Sequence, residues 1–162
     1  SALRYGIEHC NGKYIIMGDA DDSYNFLELS LFIERLQAGY DMVMGNRFAG
    51  GITKGAMPWL HRYVGNPFLS SLGRFLFKNN IGDFHCGLRA FTKKCYNIIN
   101  PQCNGMEFAS ELVALASIHQ MRICEIPVTL YPDGRKRRPH LRSWRDGFRH
   151  MVLLYSLYLL RN

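Results

Sequence analysis

The sequence offers no cysteine framework: Cys10, Cys86, Cys95, Cys103 and Cys124 are scattered, odd in number and contain no C-x-x-C pair. That spacing argues against both a zinc site and a disulfide scaffold, and unpaired thiols fit a reducing, cytoplasmic location. A cleavable leader is missing too, because residues 1–13 are polar where such a segment needs an apolar core. The longest hydrophobic run, Met151 to Leu160, falls short of the roughly 20 residues that cross a bilayer. It stands near the C-terminus, where something longer would begin. Repeats and low-complexity tracts are absent, and 48% apolar with 20% charged residues is the make-up of a globular chain. Its 162 residues fit a single domain, 1–162, able to bury a real core.

Acidic residues are also in deficit, 13 against 20 Lys and Arg, for a net charge of +7. The excess is concentrated. Arg135, Lys136, Arg137, Arg138, Arg142, Arg145 and Arg149 are opposed only by Asp146, so this segment seeks anions. It leads into a helix expected over residues 143–162, on which Trp144, Phe148, Met151, Tyr155 and Leu159 share one stripe. Arginines beside aromatics suit a membrane interface, with Arg138, Arg142, Trp144 and Arg145 at lipid phosphates and headgroups. An ordinary core stripe with solvated arginines is the competing reading.

Against that background one acidic cluster stands out. Asp19, Asp21 and Asp22 follow directly on Tyr14-Ile15-Ile16-Met17-Gly18, a run that reads as a buried strand. Strands of open α/β sheets carry ligands at their carboxyl ends, and three like charges there repel one another unless a cation binds. Mg²⁺ or Mn²⁺ held by one or two carboxylates, with substrate phosphates completing the shell, answers that need. Asp19 and Asp21 are the metal candidates, with Asp22 beside them; a solvated turn before a helix is the alternative.

The remaining pattern is strand, helix, strand, helices, strand, helix, helix, strand, helix, an α/β arrangement with a mixed sheet. Asn25 to Glu28 has capping-box form and opens a helix that stops at Gly39. Asp41 to Asn46 is strand-like, and a glycine-rich loop from Arg47 to Pro58 follows. Trp59 to Phe77 is helical with a kink at Gly65-Asn66-Pro67. Strands are expected at Cys86 to Phe91 and, at a sheet edge because of Pro127, at Arg122 to Leu130. Arg47, opening its loop, can fork onto a phosphate, with Arg62 and Asn66 one turn apart on the next helix. Asp83 or His85 is a base if it reaches an acceptor and a turn residue otherwise; Glu107 and Glu111 are acid-base candidates or one polar helix face.

Taken in order, G-D-A-D-D-S-Y at 18–24, G-N-R-F at 45–48, D-F-H-C-G-L-R-A-F at 83–91, G-M-E-F-A-S-E at 105–111 and E-I-P-V-T-L at 125–130 resemble family 2 glycosyltransferases. The dolichol-phosphate mannose synthase-like, or polyprenyl-phosphate glycosyltransferase, branch is the nearest in appearance. The resemblance implies a GT-A fold and transfer of a sugar from a nucleotide-sugar to a polyprenyl or dolichyl phosphate at the cytoplasmic face of a membrane. It implies Mg²⁺ or Mn²⁺ on Asp19 and Asp21 against the donor diphosphate, with Ser23 where a third polar ligand occurs. It further implies Arg47, Arg62 and Asn66 at the acceptor phosphate and Asp83 and Arg89 near the reacting centre. Cys86 and Leu88 depart from the usual D-x-x-S-G-F-R, and Arg138 to Arg142 replaces the family's S-K-L-like phosphate loop. The opening strand and P-x-Y-N-E-like turn that cradle the base are not present, so the chain reads as the C-terminal part of a GT-A domain lacking its first βα units. A non-catalytic basic module for anionic membranes or nucleic acid is the alternative from another class, nucleic acid being the less favoured partner; an inactive, truncated transferase is a third.

Overall fold

The computed structural model describes residues 2–134 and 143–161. Helix α1 (Ala2–His9) precedes strand β1 (Tyr14–Met17). A 3₁₀ turn at Phe26–Glu28 runs into α2 (Leu29–Gln37), followed by β2 (Met42–Asn46) and the single helical turn α3 (Arg47–Gly50). A π-helical stretch at His61–Gly65 leads into α4 (Asn66–Phe77), then come β3 (Arg89–Thr92), α5 (Lys93–Ile99), α6 (Phe108–Ile118), β4 (Ile123–Pro127) and α7 (Ser143–Arg161).

The four strands form one mixed sheet in the order β1-β3-β2-β4. β3 is antiparallel to both β1 and β2, whereas β4 is parallel to β2 and forms an edge. Side chains alternate between faces with a period of two. Ile15, Met42, Met44 and Phe91 pack beneath α1, α5 and α6, while Val43 and Ala90 join Phe32, Leu36 and Ile126 on the opposite face. A third cluster, Leu76, Phe77, Ala114 and Leu154, ties α4 and α6 to α7.

Several expected elements take a different form. Residues 47–50 coil into a helical turn because the Asn46 carboxamide oxygen accepts the Ala49 N–H at 2.9 Å. Gly50 then lies so close to the Val128 backbone that a Cβ would sit 2.3 Å from its nitrogen. The kink before Pro67 is the π-helical stretch. Asn25 caps Leu27 at 3.1 Å and contacts Glu28 through its amide, and the buried stripe that follows is Phe32 and Leu36, leaving Leu27 and Leu31 exposed. β3 begins at Arg89, later than the expected Cys86; the Cys86 carbonyl is taken by the Arg89 guanidinium, while the Leu88 carbonyl still accepts the Gly45 N–H across from β2. Helix α1 is not among the expected elements, and Ile7 is its one buried residue among those described.

Candidate active site

One rung crosses the whole sheet: Met17 pairs with Arg89, Arg89 with Met44, and Met44 with Glu125. Beyond that rung the chain leaves β1, β2 and β4 by their carboxyl ends, while β3, running the other way, is entered there. Topology therefore brings the acidic turn, Arg47, the 83–88 segment and the root of the basic segment to one edge of the sheet.

The acidic turn is built locally. Asp22 adopts left-handed backbone (φ 62°), a conformation that aspartate tolerates better than most residues, and this reverses the chain. Asp21 Oδ1 accepts the Ser23 N–H at 3.2 Å and its hydroxyl at 2.5 Å. Ser23 is buried, so its hydroxyl braces Asp21. Asp19 is exposed and lies over Gly87, where a Cβ would fall 1.9 Å from Oδ2. Only glycine at 87 lets the carboxylate occupy that place. The backbone of Asp21 and Ser23 accepts the N–H groups of Gly134 (2.8 Å) and Tyr131 (3.0 Å), which docks the root of the basic segment on the turn. A cleft of about 460 Å³ opens beside it, lined by Asp22, Tyr24, Asn25, Phe26, Tyr131 and Pro132.

Carboxylate oxygens are the donors that Mg²⁺ and Mn²⁺ prefer. Among the described residues no three His, Cys, Asp or Glu side chains form a ready metal cage. Asp19 in its glycine cradle, with Asp21 braced two residues on, fits an ion that draws its other ligands from a phosphate-bearing substrate rather than a structural ion.

The expectation that Arg47, Arg62 and Asn66 gather on an acceptor phosphate meets a different geometry. Arg47 is buried and forks onto Asp83, Nε to Oδ2 and Nη2 to Oδ1, both at 2.7 Å, and its backbone N–H adds a bond at 3.1 Å. Arg62 donates to the Ile52 carbonyl at 3.3 Å, and the Asn66 amide contacts Met57 Sδ at 3.5 Å. Asp83 in turn is wholly enclosed. Burial works to raise its pKa, but the hydrogen bonds and charge of Arg47 overcome that and hold it below the usual carboxylate range. In this geometry Asp83 is the counterion of Arg47.

Arg89 is fully buried, donating to the Cys86 carbonyl and, at 2.8 Å, to that of Ala109. It pins the 86–89 segment to α6 and does not face the cleft as a free cation. Glu111 accepts the backbone N–H groups of Gln102 and Cys103, and Glu107 pairs with Arg149 at 2.5 Å, so both serve the fold.

Three residues to which the sequence reading gave no role make contacts around the site. The Tyr24 hydroxyl accepts the Gly87 N–H at 3.1 Å and so links the acidic turn to the 83–89 segment. Ser110 Oγ lies 3.0 Å from His85 Nε2 and 2.7 Å from His150 Nδ1, joining α6, α7 and the same segment. Burial, then the neighbouring His150, pushes His85 down to about 3; burial also lowers His150. Their roles emerge only from the three-dimensional pairing, with partners 63, 25 and 40 positions away.

On α7 most of the expected stripe is bare: Phe148, Tyr155 and Leu159 are 63%, 58% and 55% exposed, Met151 is half-buried, and Val152, outside the expected stripe, is 48% exposed, while Leu154 and His150 turn inward. Arg145 is exposed; Arg138 and Arg142, and the side chain of Trp144, lie outside the described residues. Among the described residues no helix is long and apolar enough to cross a membrane.

A mixed sheet whose strand ends carry an Asp-x-Asp turn is the architecture of GT-A glycosyltransferases. Glucosyl-3-phosphoglycerate synthase from Mycobacterium tuberculosis, solved with Mn²⁺, UDP-glucose and phosphoglyceric acid, matches 97% of this chain and 54% of its own with a TM-score of 0.72. At 15% identity that likeness is one of fold. The model of glycosyl transferase family 2 matches residues 1–98, and the chain belongs to that family. It is 38% identical over 151 residues to the low-salt glycan biosynthesis hexosyltransferase Agl6 of Haloferax volcanii, covering 93% of this chain and 36% of the relative. It is 32% identical over 116 residues to a dolichyl-phosphate hexose transferase of the same organism, covering 70% and 48%. Polyprenol monophosphomannose synthase of Mycolicibacterium smegmatis is 30% identical over 68% of this chain and 43% of its own. The chain thus spans less than half the length of these curated relatives.

Proposed function

We propose that this chain supplies the diphosphate and acceptor side of a transferase that moves a sugar from a nucleotide-sugar to a polyprenyl or dolichyl phosphate. The observation that carries the reading is the seat of Asp19 on Gly87, which joins the acidic turn to the 83–89 segment at the carboxyl ends of the strands. The names of the dolichyl-phosphate and polyprenol relatives support the acceptor class. The Mn²⁺ and UDP-glucose complex of the structural neighbour supports the donor class.

In the transfer, an oxygen of the acceptor phosphate bonds to the anomeric carbon as the bond from that carbon to the nucleotide diphosphate breaks. The electron pair of that bond leaves with the diphosphate. Asp19 and Asp21 would hold a Mg²⁺ or Mn²⁺ ion, which supplies positive charge for the departing diphosphate. A phosphate nucleophile is already ionised near neutral pH, so no side chain has to remove a proton. This agrees with an Asp83 engaged by Arg47. The fork holds Arg47 rigid behind the site, and the Tyr131 and Gly134 N–H groups root the start of the basic segment on Ser23 and Asp21.

The bare stripe of α7, continuing from the arginine-rich segment, supports association with an anionic membrane face, where a polyprenyl acceptor resides. The test is transfer of labelled sugar from a panel of UDP- and GDP-sugars to polyprenyl phosphate by the full natural chain. Transfer that needs a divalent ion and is lost in Asp19→Ala/Asp21→Ala is expected; wild-type rates in that variant would overturn the reading.

A further inference from the structure

We propose that Glu125 is a positioning residue of this site, acting through the backbone of Gly82 and Asp83 on the Asp83–Arg47 pair. It stands on β4 in the rung that also holds Arg89 and Met44. Its two carboxylate oxygens are divided between successive N–H groups: Oε2 accepts from Gly82 and Oε1 from Asp83, each at 2.9 Å. Successive N–H groups turned to one side make a concavity that favours an anion, and here the protein fills it with its own carboxylate. Hydrogen bonds to an ionised acceptor are stronger than neutral ones, so the bracket defines the bend firmly.

The bracket sets where the Asp83 side chain starts. From there Oδ2 takes the backbone N–H and Nε of Arg47, and Oδ1 takes Nη2 and, at 3.3 Å, the His85 N–H. A continuous chain of bonds therefore runs from the edge strand, through the bend, to the first residue beyond β2. Asp83 is wholly enclosed, so a displaced bend cannot be relieved by water. The shift passes to Arg47 on one side and to the 84–88 segment on the other, whose Gly87 bears on Asp19.

The inference rests on the glycosyl-transfer reading for its catalytic consequence, but its structural part can be read separately. Glu125→Gln keeps the side-chain volume and turns one acceptor into an NH₂ that faces a backbone N–H. In this chain, ¹⁵N–¹H spectra of Glu125→Gln are expected to show the Gly82 and Asp83 amides moved upfield and exchanging faster, with most others unchanged. In the full natural chain, kcat is expected to fall about tenfold, the size of one charge-assisted hydrogen bond lost, with the donor KM within about twofold. Because Glu125 acts through Asp83, Glu125→Gln/Asp83→Asn should be no slower than Asp83→Asn alone. Should Glu125→Gln fail to fold, Glu125→Asp, which keeps both acceptors but withdraws them by one methylene, is read in the same way. Unmoved Gly82 and Asp83 amides, wild-type kcat, or losses that multiply in the double variant would each overturn the proposal. A wild type that transfers no sugar defeats the transfer reading instead, and the amide spectra then decide the bracket alone.

Discussion

Asp19 and Asp83 carry the same carboxylate in opposite settings, and the two should respond oppositely to substitution. Asp83 is enclosed and answers a buried guanidinium; Asp83→Asn leaves that charge without its counterion, a loss on the order of 3–5 kcal/mol. Asp19 is exposed, so Asp19→Asn should change stability by less than about 0.5 kcal/mol. Urea unfolding of the two variants side by side checks the contrast. Gly87→Ala offers a finer probe, because its Cβ must displace the Asp19 carboxylate. It is expected to remain folded while Mn²⁺ affinity in the presence of UDP falls at least about tenfold, as read by calorimetry. Both aspartates were legible in the sequence as charges adjoining strand-like runs. Their roles were not, since burial and the pairing of Arg47 with a residue 36 positions away arise only when β2 and β3 lie side by side.

At the level of elements, the His85–Ser110–His150 bridge fastens the 83–89 segment to α6 and α7. One hydroxyl serves both rings, which meet edge to face at 4.9 Å, and Glu107, Asp146 and Arg149 act on His150 from α6 and α7. Burial favours the neutral imidazoles, so their folded pKa values lie below the ordinary value of about 6.5. As pH drops below about 6.5 the unfolded chain takes up protons first. The stability these histidines permit is complete above that pH and drains, by up to about 1.4 kcal/mol per pH unit for each, as pH falls toward the lowered folded pKa of each, about 3 for His85. Asp83 adds its own loss lower down, when pH falls through its depressed folded pKa. Thermal unfolding between pH 7.5 and 4.5 should show a falling Tm, with a shallower slope in His150→Gln; equal slopes would contradict the bridge. The strands themselves could be read from short apolar runs bounded by turns. Helix α1 could not, because it buries little, and α3 hid in a glycine-rich stretch whose cap, Asn46, lies in the preceding strand.

Across the whole molecule, the sheet gathers four chain segments at one edge, and α7 presents its bare apolar stripe from the C-terminal side of the same fold. The helical spacing of that stripe was plain in the sequence; that it stays exposed was not, because core and interface stripes share a period. If the stripe meets a membrane, Phe148→Ser/Tyr155→Ser should weaken sedimentation with anionic vesicles more than about tenfold, given 1.5–3 kcal/mol per buried large side chain. The Tm should hold, since both residues are exposed. Unchanged vesicle binding would assign the stripe elsewhere. The central claim concerns the acidic turn, whose two carboxylates are too few to hold an ion without a substrate's phosphates. Its most direct measurement is a Mn²⁺ titration of this chain, followed by electron paramagnetic resonance, with and without UDP and in Asp19→Asn/Asp21→Asn. The account predicts tight Mn²⁺ binding only when the diphosphate is present and none in the double variant; binding that ignores the diphosphate or survives the loss of both carboxylates would contradict it.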